Sequence, residues 1–385
     1  MREQPRANNK RAATAHVTVP LLMLVVAMGH FNRIGISVAG AERIIPQYGI
    51  EPRSMGMVYS AFLIVYTLAM LPGGWFIDRF GPRRALLLMG FSATVFVGLT
   101  GAVGLFAKSA SAVLTGLIAV RACLGLTNAP LHPGSARMVY DDVPRASRGL
   151  GNGLVTFSAC LGIAACYYVM GALIDLFDWP TAFLISSAMT LAVAIAWGRG
   201  SHRSKPDAEQ TAEVSSPSSD TSSILRVVRD RNVICITLAY AAYGYFQYLF
   251  FYWIEYYFVE IRHQGLSVSR GYSTMITLGM GAGMISGGWL ADCVPASFAP
   301  RTRHALVPVL GMIGSGILFE IGLLAPSAQA TLAAFTAAAV ILGTCEAGFW
   351  TTVVELGGSL GGTAAGLMNT GGNAGGTLSP FLTPL

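Results

Sequence analysis

Apolar residues run through this chain in long blocks, and polar residues gather in short breaks between them. Eleven blocks are long enough to cross ~30 Å of hydrocarbon as helices, which takes about 20 residues at the helical rise. They fall near 17–40, 54–76, 85–107, 112–136, 149–172, 180–198, 233–259, 270–291, 304–324, 330–354 and 360–385. The strands of a membrane barrel would alternate every second residue, and these blocks do not. The pattern therefore predicts an all-α membrane protein.

The longest break, 199–232, divides the blocks into six (17–198) and five (233–385), after a polar tail at 1–16. Within it, Arg199–Ser223 is Ser- and Pro-rich without helical period, the composition of a flexible linker. The two halves resemble each other. Gly73-Gly74-Trp75-Phe76-Ile77-Asp78 recurs as Gly287-Gly288-Trp289-Leu290-Ala291-Asp292, each time closing the second span of its half. Gly153-Leu154 likewise aligns with Gly366-Leu367, and Gly162 with Gly375. In that register Leu385 falls opposite Ala172, with a sixth span still to come in the first half. The expectation is two pseudo-symmetric six-helix bundles with the twelfth helix absent from this chain, explained better by truncation than by a natural eleven-span design.

Composition identifies the solvent. Apolar residues make up 53% and charged residues 11%, against about a quarter charged in soluble domains. The net charge of +6 is spread over loops and forms no single patch for nucleic acid. Arg2, Arg6, Lys10 and Arg11 precede the first span, and Arg79, Arg83 and Arg84 join spans two and three. Arg145 and Arg148 lie between spans four and five, Arg301 and Arg303 after span eight, and six more basic residues in the linker. The alternate loops hold only Arg43, Arg53, Lys108, Arg262 and Arg270. This asymmetry predicts a cytoplasmic N-terminus and linker. The first block is too long for a signal-peptide core and lacks a clean cleavage site, so it reads as a membrane helix. Six cysteines lie in or beside spans with no CxxC spacing, as small apolar residues do, and no metal cluster or cofactor-binding loop appears. With no Ser/His/Asp set either, an enzyme is not expected.

Gly74-Trp75-Phe76-Ile77-Asp78-Arg79-Phe80-Gly81-Pro82-Arg83-Arg84 resembles the G-x-x-x-D-R-x-G-R-R loop of the major facilitator superfamily, in residue types and in position. Asp78 can pair with loop arginines or cap a neighbouring helix end, as a latch that one conformation makes and another breaks; the plain alternative is a solvated basic loop. In the second copy Cys293-Val294-Pro295 follows Asp292, which implies a weaker latch. Within the superfamily the chain is similar to the anion:cation symporter family. The carrying residues are Asn32-Arg33 to Ala39, Ser60-Ala61-Phe62, Tyr66, Leu71 to Gly74, Arg121, Gly125, Pro133 and Gly366 to Asn373. The resemblance implies a secondary transporter, working by alternating access as a monomer, with sugar acids, hexuronates or similar small carboxylates as cargo.

Arg33 is the leading substrate-binding candidate. A mid-span arginine costs roughly 2.5–3.5 kcal/mol on insertion scales, no acidic residue lies within a turn of it, and a guanidinium can grip a carboxylate with two parallel bonds. Snorkelling or pairing with a carbonyl is the alternative. Gln247 and Tyr248 in the aromatic seventh span, Asn369 and Asn373 on one face of span eleven, and Tyr66 join it as candidates for sugar hydroxyls, against interhelical packing. The resemblance implies carboxylates where this chain has Asn32 and Asn128, and an amide does not titrate. If a proton is coupled, His30, His132, Glu255 or Glu346 must carry it. Arg121, where the superfamily places an arginine that organises coupling, has two equal readings, a carboxylate partner or helix carbonyls. The rival functions are an exporter or exchanger of another solute class, and a non-transporting membrane sensor.

Overall fold

The computed structural model describes residues 4–201, 221–295 and 297–382, with some side chains in those ranges excepted. Helices account for the described secondary structure, and no strand occurs among the described residues. In the first half they are α1 (Gln4–Ala39), α2 (Pro52–Phe80), α3 (Pro82–Phe106), α4 (Ala110–Asn128), α5 (Leu131–Asp142), α6 (Arg148–Phe177) and α7 (Trp179–Gly200). After α8 (Thr221–Arg229) come α9 (Arg231–Tyr256), α10 (Leu266–Cys293), α11 (Pro300–Leu323), α12 (Ala328–Gly343), α13 (Glu346–Gly357) and α14 (Gly361–Leu382).

Nine described stretches are long and apolar enough to cross a membrane. One of them, Ala328–Ser379, is 52 residues long, more than twice what a crossing needs, and the chain turns within it at Gly358 with φ +53°. Leu266–Cys293 falls outside the nine but has the length of a span, 28 residues. With those two adjustments the helices match the eleven apolar blocks. The protein is multi-pass.

The internal repeat extends to its irregularities. A π-helical turn ends the first span at Gly40–Ile44 and the seventh at Tyr257–Ile261. Span four breaks between Asn128 and Leu131, where Pro130 lacks the N–H a continuous helix would use. Span ten breaks at the equivalent place, Thr344–Cys345. The breaks set His132 and Glu346 in the opening turns of the half-helices α5 and α13.

Packing follows the same symmetry. In the first half α1 lies on α6, α2 on α4 and α3 on α7; in the second α9 lies on α14 and α10 on α12. The halves join through two equivalent crossings, α2 on α14 and α6 on α10. Both crossings are backbone-close. A methyl on Gly74 would meet the Thr363 Cα at 2.8 Å, and one on Gly153 would meet the Ile285 Cα at 3.2 Å. Glycine is what lets the halves approach at these points.

Candidate functional site

The site grows from one turn of α1. Asn32 faces inward, 2% exposed, donating to the Thr190 Oγ1 at 2.9 Å and accepting from the Ser186 Oγ at 2.8 Å, both on α7. Those bonds fix the rotation of the turn. Arg121, 2% exposed on α4, fixes its height. Its Nη1 and Nη2 donate to the backbone carbonyls of Asn32 (3.0 Å) and Arg33 (2.8 Å), and its guanidinium lies 4.9 Å from the Phe62 ring centre. Of the two readings of Arg121, the geometry contains the helix carbonyls.

With the turn so held, the half-buried Arg33 side chain points between the halves. Its guanidinium lies 5.6 Å from the Phe62 ring centre and 5.7 Å from that of Tyr66, distances at which ring faces attract a cation. Its Nη2 reaches the Tyr248 hydroxyl of α9 at 3.5 Å, a long contact from the first half to the second. Around this point Tyr66 bonds with the Asn369 side chain, and the Asn369 Nδ2 lies 3.2 Å from the Met70 sulfur. Asn373 donates to the Asn369 backbone carbonyl at 2.8 Å, with the Asn369 Oδ1 at 3.4 Å, so the two side chains share a face. The Gln247 Nε2 donates to the Tyr243 hydroxyl at 3.1 Å. Four of the candidates, Tyr66, Tyr248, Asn369 and Asn373, thus cluster with Arg33, while Gln247 is turned into the α9 aromatic layer.

A second cluster adjoins the first. The His30 and His132 Nε2 atoms lie 3.0 Å apart, and the His132 ring stacks on Trp350 of α13 with centres 5.6 Å apart and an angle of 23°. Trp350 donates its indole N–H to the Glu346 Oε1 at 2.8 Å, and the Tyr240 hydroxyl donates to the same oxygen at 2.7 Å. The Glu346 Oε2 is buried without a hydrogen-bond partner among the described residues. Asn128 is spent on its own helix, donating to the Leu124 carbonyl at 2.8 Å. The side chain of Glu255 lies outside the described residues.

The basic-loop end carries the third group. Asp78 accepts from the backbone N–H groups of Gly362 (2.8 Å) and Thr363 (2.7 Å) and from the Thr363 hydroxyl (2.6 Å). These are orphan donors of the first turn of α14, so a side chain of one half caps a helix of the other. Asp292 does the same in reverse, accepting from the Gly149 and Leu150 N–H groups of α6 at 2.9 and 2.8 Å. The loop arginines play a different part. Arg83 donates to the Ser201 hydroxyl (2.8 Å) and the Gly198 carbonyl (2.9 Å), tying α3 to α7 inside the first half. Arg79 and Arg84 are exposed, and Gly81 makes the turn with φ +87°, which side chains rarely adopt. Gly74 provides the close approach beside the Asp78 cap.

Further ties here escaped the sequence reading. Arg137 donates to the Gly358 carbonyl, and Arg148 lies 3.4 Å from Glu355, which also meets His304 at 3.3 Å. Counting arginines by loop registers their side of the membrane and not their partners. Trp350 was equally hidden, though Glu346-x-x-x-Trp350 is the spacing of a same-face helical pair.

Residues 22–380 match the Major Facilitator Superfamily. A probable galactarate/D-glucarate transporter of Bacillus subtilis is 30% identical over 188 residues, 49% of this chain and 41% of that protein. A D-galactonate transporter of Escherichia coli is 30% identical over 185 residues, covering 47% and 40%. A probable sulfoacetate transporter of Cupriavidus necator is 29% identical over the same shares. The aligned stretch is thus less than half the length of these relatives. Among solved structures, the transporter FucP in an outward conformation superposes with TM-score 0.72 at 18% identity, over 96% of this chain and 92% of that one. The proton:xylose symporter XylE gives 0.68 at 13%, over 97% and 90%.

Proposed function

The chain belongs to the major facilitator superfamily, and from that premise we propose that it is a secondary transporter for a small organic anion, a sugar acid, hexuronate or similar carboxylate. It works by alternating access between two bundles, 17–198 and 233–385, in the inner membrane with the N-terminus and the linker 199–232 cytoplasmic. The observation that carries the reading is the Arg33 guanidinium, held at the seam of the halves between Phe62 and Tyr66 and touching Tyr248. A carboxylate arriving there exchanges the long 3.5 Å contact for charge-assisted bonds, which are shorter and about twice as strong as neutral ones. Tyr66, Tyr248, Asn369 and Asn373 surround the same point with donors and acceptors for hydroxyls, with Gln247 one turn from Tyr243. The relatives named for galactarate, glucarate, galactonate and sulfoacetate support an anion as cargo.

In the alternating cycle Asp78 and Asp292 act as a two-part latch. Both caps are made in this conformation, so the basic-loop end is closed and cargo enters from the opposite face. Opening the latch breaks both caps and exposes Arg33 to the cytoplasm.

The test is thermal unfolding of the detergent-purified protein against D-glucarate, D-galactonate, sulfoacetate, neutral sugars and amines. Stabilisation by anions alone is expected, lost in Arg33→Ala and kept in Arg43→Ala, which removes only an exposed ion pair with Asp175. Equal loss in both variants, or stabilisation by neutral solutes, refutes the assignment. Binding without flux in proteoliposomes would instead indicate a sensor.

A further inference from the structure

The two amides at positions 32 and 128 cannot carry a proton, and both are committed to hydrogen bonds inside the first half. Two imidazoles, His30 and His132, lie within electrostatic range of the guanidinium. We propose that the His30–His132 pair is a proton-binding site linked to the anion site at Arg33, filled by one proton as the anion binds. The proposal rests on the anion-transport reading for its cargo.

The geometry supplies the means. At 3.0 Å between Nε2 atoms, one ring donates and the other accepts. Neither Nδ1 has a hydrogen-bond partner among the described residues, and both rings are half-buried. A proton can therefore sit on the Nδ1 of the donor ring without breaking the contact, leaving one imidazolium bonded to one neutral imidazole. A second proton would break it, since both Nε2 atoms would then be donors. The pair takes one proton.

Its surroundings tie that proton to the anion and to the closed end. Arg33 lies one turn along α1 from His30, and like charges repel, so its guanidinium opposes an imidazolium on the pair until an anion offsets it. On α13, Trp350 lays its ring against His132, and a tryptophan face is the best aromatic partner for a cation. Glu346 lies one hydrogen bond beyond it and Tyr240 of α9 bonds the same oxygen. On α6 the thiols are Cys160, which interacts with Glu346, and Cys166, which interacts with Arg121. α7 offers the uncharged Ser186 and Thr190, and α14 the uncharged Asn369 and Asn373. Because Trp350 belongs to the second half, separation of the halves at the closed end withdraws its ring and weakens the hold on the proton. Anion and proton then leave together.

Linkage makes this measurable: if the proton strengthens anion binding, anion binding takes up the proton. The experiment uses the whole chain in detergent with whichever of D-glucarate, D-galactonate and sulfoacetate binds. Affinity is measured from pH 5.5 to 8, and proton uptake is read in weak buffer with an indicator dye. Expected are uptake approaching one proton per anion and affinity falling up to tenfold per pH unit as the pair deprotonates. In His30→Gln/His132→Gln both should be flat while binding persists. Unchanged uptake and slope in that variant overturn the proposal. Should the variant misfold, 15N spectra of the histidine-labelled unsubstituted protein decide: an imidazolium pattern gained on anion addition supports the pair, and rings neutral throughout overturn it. Should no anion bind, the transport reading fails by itself. Titration of the same spectra then tests the proton site, with one proton taken up by the pair expected and none or two refuting it.

Discussion

Replacing Asp78 with asparagine isolates the electrostatic part of the latch, because the side chain keeps its size and one carbonyl oxygen. The native carboxylate receives three hydrogen bonds of 2.6–2.8 Å, one to Oδ1 and two to Oδ2. In Asp78→Asn one oxygen becomes an NH2 group facing donors, so at least one bond is lost and the rest lose their charge. Hydrogen bonds to charged groups contribute roughly 1.5–3 kcal/mol each. Losing about 3 kcal/mol in all shifts the closed-to-open ratio at this end by about 100-fold. Asp292, Arg137 and Glu355 still join the halves, so the closed state is weakened rather than abolished. The assay is pulsed electron resonance between spin labels on Arg199→Cys and Thr302→Cys, exposed positions of opposite halves, with the native cysteines replaced by alanine. A second, longer distance should appear in Asp78→Asn and grow in Asp78→Asn/Asp292→Asn. Distributions unchanged in both variants would refute the latch.

Other perturbations separate holding from binding. Arg121→Lys cannot bond both carbonyls with one fork, so Arg33 should lose its setting and anion affinity should fall by about 10–100-fold with the fold intact, as calorimetry would show. Asn32→Ala leaves the buried Ser186 hydroxyl without the Asn32 acceptor and should cost about 1–3 kcal/mol, seen as a lower unfolding temperature rather than lost anion selectivity. Gly149→Val puts branched atoms against the Asp292 carboxylate and the Gly288 backbone, and should hold the basic-loop end open in the same spin-label distances. Glu355→Gln removes the charge shared by Arg148 and His304 and should favour opening by less than tenfold, since part of that cluster is solvated.

What the sequence made legible follows from range. Apolar blocks are a local property, so the eleven helices could be placed, and the repeated Gly-Gly-Trp cassette marked equivalent corners of two halves. Asn369 and Asn373 share a face because four residues make about one turn, and they bond to each other. Partners far apart in the chain were invisible. Asp78 meets a helix start 284 residues away, through backbone groups that carry no residue signature. Arg121 likewise binds carbonyls that any residue would offer. His30 and His132 were each a lone membrane histidine by sequence, and only the break at Pro130, which swings the opening turn of α5 toward α1, makes them a pair.

The glycine seam has a kinetic side. Gly74, Gly149, Gly153, Gly288 and Gly366 let the crossings meet backbone to backbone at these points, while the Phe157 ring of α6 lies against Gly281 of α10 beside them. Parting the backbones at the glycine contacts themselves calls for no rotamer change. The polar caps at its rim are then the part of the resistance to opening that can be changed one hydrogen bond at a time, without repacking either half.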